Sequence, residues 1–212
     1  MPTIEFLLSN HLEAATAQRV LVFLRPDPLQ DQTLFYAWQT LGPPPRGGSQ
    51  RFSFEGLIAV TAAEDHPQGS RSSRLPIQPG QAFTARRLNG QGPQLHPASG
   101  QDQSGGPARV INGDRQSLRV TWYCDGRPFL RQSVAASAAA ELQLVPNVFL
   151  FQILEPSRDG LYRPAEVLRQ PVEYLPPAET PLVDVIWYRS GDTDGLSFDP
   201  PSTGNSASGG DQ

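Results

Sequence analysis

The sequence predicts an all-β fold, an antiparallel β-sandwich or Greek-key barrel of about ten strands, and three observations lead there. The 22 Pro and 19 Gly make nearly a fifth of the 212 residues, against about 12% in an average protein, so chain reversals are frequent and long helices scarce. Short β-branched and aromatic runs recur at regular spacing, each bounded by Pro, Gly, Asn or Asp. Between them no amphipathic stretch keeps a helical period long enough for a stable helix.

The expected strands are residues 3–8, 19–24, 33–40, 50–54, 57–62 and 82–88, then 118–124, 129–135, 140–145 and 148–154, with 182–188 a further one. The strongest local signal lies at Asp125-Gly126. That dipeptide suits a type I′ turn, which needs φ > 0 at both central residues. Counting outward from the turn sets Trp122 opposite Phe129, Thr121 opposite Leu130 and Tyr123 opposite Pro128. A proline there lacks the ladder donor, so this hairpin is expected at a sheet edge.

Residues 134–145 carry alanines with helix propensity, but Leu142 and Leu144 alternate with Glu141 and Gln143, which favours strand after residue 139. Pro146-Asn147 then reads as a turn into Val148–Leu154, an apolar run suited to a central strand covered on both faces. Residues 89–109 are rich in Gly, Gln, Pro and Ser, too polar to offset the entropy of ordering them, and read as a flexible loop. The domain is expected to span residues 1–193, with 194–212 a disordered tail.

Charge and composition narrow the function. With 17 basic and 21 acidic residues the formal charge is −4, so no net field attracts nucleic acid or an anionic membrane. Every basic residue is Arg, which removes mechanisms that need a catalytic lysine. Cys124 is alone, so no intrachain disulfide forms and no oxidising compartment is required. The N-terminal stretch carries Glu5 and no basic segment, unlike a signal peptide, and no run approaches the ~20 apolar residues of a membrane span. A cytoplasmic protein is the resulting expectation, with leaderless export left open.

The polar clusters read first as turns. Glu64, Asp65 and His66 place two carboxylates beside an imidazole, and Asp192 with Asp194 in Gly191–Gly195 resembles a piece of a calcium loop. Neither assembles the three or four donors of a metal site. His11 and His96 fall in turns or loops, and Cys124 shares a strand face with Val120 and Trp122, as an inert buried thiol would. No cofactor and no metal are expected, and no phosphate loop, Gly-x-Ser-x-Gly elbow or His-Glu-x-x-His helix is present.

Aromatic residues offer the candidate binding surface. Tyr36 and Trp38 alternate, while Trp122-Tyr123 and Trp187-Tyr188 are adjacent pairs whose two rings lie on opposite faces of a strand. Rings turned outward would suit a polysaccharide platform or a subunit interface. Should both faces be covered, the same rings become core.

Several segments resemble a known family. Residues 20–28 (VLVFLRPDP), 34–39 (LFYAWQ) and 47–54 (GGSQRFSF), with later likenesses at 79–85 and 145–151, are similar to the opening and later strands of the rhizosphere-induced (RhiA-like) bacterial proteins. The resemblance runs over residues 1–190 and departs at the low-complexity loop 89–109. It implies a bacterial β-rich protein and carries over no catalytic residue. The function expected is therefore noncatalytic binding or self-assembly, with an extended ligand such as a polysaccharide, or a second copy of the chain, as partner. The alternative is a metal-dependent hydrolase using Glu64, Asp65 and His66, or Asp192 and Asp194.

Overall fold

The computed structural model describes residues 3–12, 16–27, 33–66, 68–87, 91–98 and 105–200. In chain order the strands begin with β1 (Ile4–Asn10), β2 (Arg19–Pro26), β3 (Thr33–Tyr36), β4 (Gln39–Leu41), β5 (Ser49–Phe54) and β6 (Ile58–Glu64). They continue with β7 (Leu75–Pro76), β8 (Ala82–Arg87), β9 (Pro93–Pro97), β10 (Ala108–Asn112), β11 (Leu118–Cys124) and β12 (Arg127–Val134). After β13 (Ala139–Leu142), β14 (Leu144–Leu154) and β15 (Leu161–Tyr162) comes a one-turn helix, α1 (Pro164–Val167), and then β16 (Val172–Tyr174), β17 (Leu182–Ser190) and β18 (Thr193–Asp199).

These strands form four sheets. The first runs β18-β17-β1-β5, the second β16-β14-β2-β4, the third β15-β3-β12-β11-β6-β7, and the fourth β13-β10-β8-β9. Pairing is antiparallel except between β1 and β17 and between β8 and β10.

The second sheet is the middle layer. Val20, Leu21, Val22, Phe23 and Leu24 of β2 are all buried, a run with no polar side that only a strand covered on both faces can carry. Cross-strand partners share a face. Phe149 lies opposite Leu24 and Phe151 opposite Val22, whereas Leu150 lies opposite Phe23. Phe149 and Phe151 turn to the first sheet and meet Phe6 of β1 at 5.0 and 6.1 Å. Phe23 turns the other way, to Phe35 of β3 at 6.2 Å and Tyr162 of β15 at 5.2 Å in the third sheet. The expectation of a central, doubly covered strand at 148–154 thus holds.

On the side of the first sheet the rings form a continuous chain. Phe6 stacks on Phe52 at 4.8 Å, Trp38 meets Phe54 edge-on at 5.5 Å, and Phe151 contacts Phe198, which stacks on Tyr174 at 4.4 Å. Each such pair contributes roughly 0.5–1.5 kcal/mol beyond burial of its area.

Asn112 anchors the end of β10 in the fourth sheet. Its buried amide donates to the carbonyls of Gln116, Val134 and Ala135 at 2.9–3.0 Å, and its oxygen accepts from the Asp114 amide. Backbone groups that leave the ladder there keep their partners.

Several expectations need correction. The Asp125-Gly126 turn forms with φ of 50° and 79°, and Tyr123 does face Pro128. Beyond it, however, Trp122 pairs with Leu130 and Thr121 with Arg131, because a bulge inserts Phe129. The extra residue shifts every pair beyond it by one, so Leu130 rather than Phe129 faces Trp122. Nor is the hairpin at an edge, since β12 is flanked by β3. That pairing begins at Leu130, beyond Pro128, so the missing donor falls where no neighbour is present.

The strand expected over 33–40 breaks into β3 and β4, with Trp38 between them sunk into the core. Residues 146–147 do not turn the chain. They lie inside β14, where the ladder to β2 is interrupted between Leu144 and Phe149, a place that needs no donor from Pro146.

Within the expected loop 89–109, residues 93–97 pair with β8 as β9 and residues 108–109 open β10. Leu95 and Ala108 find buried positions there, a tertiary gain that composition does not reveal. Residues 89–90 and 99–104 lie outside the described residues. The domain likewise extends past 193, because β18 pairs along β17 and seats Leu196 and Phe198 in the core. The rest of the expected tail, 201–212, also lies outside the described residues.

Candidate functional site

The aromatic residues picked out by sequence do not assemble into a platform. Trp38, Trp122 and Trp187 are fully buried, and Tyr123 nearly so. The covering of both sheet faces, given above as the other outcome, decides this. Trp38 donates its indole N–H to the Cys124 carbonyl at 3.1 Å, and Tyr123 lies under the Arg74 guanidinium, 4.0 Å from its ring centre. Tyr36 is half-buried and Tyr188 exposed. They belong to different sheets, and the Tyr188 ring rests on Gly195, its cross-strand partner, where any Cβ would meet the ring at 2.8 Å.

The polar clusters serve as ties. Glu64 accepts from the Ser70 amide at 3.0 Å and lies 3.2 Å from His66 Nε2 and 3.4 Å from Arg87. The Ser70 hydrogen bond foremost, with the Arg87 and His66 charges, holds its carboxyl below the usual range. Asp65 turns away and accepts from Ser133 Oγ at 2.6 Å. Asp194 pairs with Arg189 at 2.6 Å across the β17–β18 hairpin, while Asp192 is exposed in its turn. Among the described residues no three His, Cys, Asp or Glu side chains converge as a metal site would require. His96 lies in β9 and His11 donates its amide to the Trp187 carbonyl at 2.8 Å. The Cys124 thiol is buried, and burial foremost, with Asp125 beside it, pushes its pKa well above the usual thiol range.

A different feature stands out at one end of the molecule. All four sheets contribute to a cleft of about 600 Å³. Phe54 closes it from the end of β5, Ile58 from the start of β6, Ile77 from the residue after β7, and Val148 from β14. The junction between β13 and β14 adds Leu142 and Leu144. The polar groups at this lining are few. Arg25 is held by Glu173 at 2.8 Å, and Gln78 and Gln143 are the other polar side chains among the described lining residues.

Leu57 stands at the rim with 64% of its surface exposed, the most open large apolar side chain among the described residues. Its position is fixed by the chain around it. The Asp125 carboxylate accepts from the Glu55 and Leu57 amides at 3.0 and 2.9 Å, and the Asp125 amide donates to the Leu57 carbonyl at 2.9 Å. Gly56 between them takes φ of 75°, a conformation open to glycine at little cost. The hairpin turn of the third sheet therefore clamps the turn that leaves the first sheet, and Leu57 is held out over the cleft.

Sequence reasoning missed this site. Its walls come from residues between 24 and 149, each an ordinary core residue in its own strand. The one local signal was Glu55-Gly56-Leu57, a glycine turn ending on an apolar residue.

Compared with known proteins, the chain matches no family model, no curated protein and no solved structure. No helix among the described residues is long and apolar enough to cross a membrane.

Proposed function

We propose that this is a noncatalytic binding protein that takes an apolar small molecule into the cleft at the end of its sandwich. The observation that carries the reading is the cleft itself, about 600 Å³ with apolar walls and few polar groups. Ligand pockets of 300–1,000 Å³ have this character, with a small number of polar groups to orient the guest. Leu57 fits the role of a rim residue, because exposing it to water is unfavourable until an apolar guest covers it. A protein partner fits less well. A stable interface covers roughly 800 Å² on each side, and the other exposed large apolar residues, Leu154, Leu168, Val172, Leu182 and Tyr188, lie outside the cleft.

The test is a fluorescence titration with N-phenyl-1-naphthylamine, an apolar probe without charge. Saturable binding near one equivalent, weakened at least fivefold by L57D and by L144D, supports the reading. Absence of saturable binding to the native protein, or binding that both variants leave unchanged, overturns it.

A further inference from the structure

The outer face of the third sheet carries four arginines that the fold brings together from distant parts of the chain. Thr121 pairs with Arg131 and Arg119 with Ser133 across β11 and β12, so these side chains share a face. Ala63 of β6 lies opposite Arg119 and bridges on its other side to Arg71, placing Arg71 on that face too. Arg74 completes the set above Tyr123. The four surround a cleft of about 320 Å³, with Tyr36, Thr121 and Tyr123 among its other walls.

No salt bridge of the described residues uses any of the four, although Arg25, Arg51, Arg87, Arg109 and Arg189 each have an acidic partner. Among the described residues no acidic side chain lines the cleft. Two carboxylates beside this face form hydrogen bonds of their own and no salt bridge to it. Asp159, which feels the charge of Arg131, accepts from the Leu161 amide and from Ser157, and Asp65 accepts from Ser133. Two of the guanidinium groups are positioned rather than free. Arg74 is fixed between the Tyr123 ring and the Gly126 carbonyl at 3.0 Å, and Arg71 reaches the Tyr123 hydroxyl at 3.4 Å. Four like charges drawn to one place in a protein of net charge −4 repel one another, and an anion between them would remove that cost.

We propose that this cleft binds a small phosphate-bearing molecule, and that the site is separate from the apolar cleft. Guanidinium forks match the oxygens of a phosphoryl group in pairs, and the four arginines can face one such group from several sides. The cleft volume is at the low end of small-ligand pockets, which suits a compact phosphate ester better than a polymer.

The probe is inorganic pyrophosphate, titrated by calorimetry into the full chain at low salt. One equivalent should bind, with affinity falling as salt rises. R71Q and R131Q should each weaken binding at least tenfold, while R46Q, at an exposed site elsewhere, should leave it unchanged. Should R131Q misfold, R71Q alone decides, because Arg71 is on the surface. The proposal is overturned if pyrophosphate gives no saturable heat, if R71Q binds as the native chain does, or if oligothymidylate binds more tightly with a stoichiometry that scales with its length.

Discussion

The indole N–H of Trp122 donates to the side-chain oxygen of Gln132, 2.7 Å away, where both residues are shut off from water. Gln132 sits on β12 and its amide nitrogen reaches the Glu141 carbonyl at 3.5 Å, so one side chain ties a core tryptophan of the third sheet to the fourth sheet. Replacing it with leucine leaves the Trp122 donor buried without a partner, which costs about 1–3 kcal/mol. Urea unfolding of Q132L should show that loss as a lower midpoint with an unchanged slope.

Trp187 provides the contrast. Its ring is as buried as that of Trp122, yet its N–H has no hydrogen-bond partner among the described residues. Phenylalanine at either position removes similar volume, but only W122F also strips a partner from Gln132. W122F should therefore be the more destabilising by about 1 kcal/mol, read from paired unfolding curves. Equal losses would mean the Trp122 bond adds nothing.

Asp125 joins two turns through three hydrogen bonds. D125A gives up both carboxylate bonds and leaves a residue less suited to positive φ. A loss of roughly 1–3 kcal/mol is expected, together with weaker uptake of N-phenyl-1-naphthylamine, since Leu57 is no longer clamped at the rim. D125N tolerates the same backbone and keeps one acceptor, so it should fall between the two.

Burial keeps the Cys124 thiol protonated. A maleimide reagent at about pH 8, close to the ordinary thiol pKa, should label none of the native protein within minutes and one equivalent after full denaturation. Rapid labelling of the native chain would show that β11 opens locally.

Tyr174 has its pKa pushed up to about 12 by burial, with Asp199 adding to the effect, and its hydroxyl donates to the Pro200 carbonyl at 2.9 Å. The unfolded phenol titrates near 10, so the folded state disfavours ionisation. The stabilisation is complete below about pH 10 and is lost as pH rises toward about 12. In Y174F the decline in stability over that window should be shallower, as thermal melts across the range would show.

Much of the architecture was legible because strand signals are local. Val20–Leu24 and the run from Val148 announce a covered strand by lacking polar alternation, and Asp125-Gly126 announces its turn. What escaped is what depends on neighbours. Residues 93–97 and 193–199 carry too few apolar residues to read as strands alone, and become strands because β8 and β17 offer open ladders. The bulge at Phe129 shifts the register of the hairpin beyond Tyr123, which no count outward from the turn reveals. The same holds for the sites. Trp38, Trp122 and Trp187 drew attention as rings, but whether a ring faces water depends on which sheet covers it. The summed charge of −4 likewise hid an arginine cluster whose members lie at 71, 74, 119 and 131.

The parallel pairing of β1 with β17 matches Glu5 with Leu182 and Asn10 with Trp187. During translation, β1 leaves the ribosome long before its partner exists and can pair only with β5. One edge of β1 therefore stays open until the chain has grown past residue 187. Edges of that kind recruit other strands, so a polypeptide interrupted before residue 182 has reason to aggregate even with β1 to β16 complete. Emergence of β17, which completes the first sheet, is the event that closes this edge.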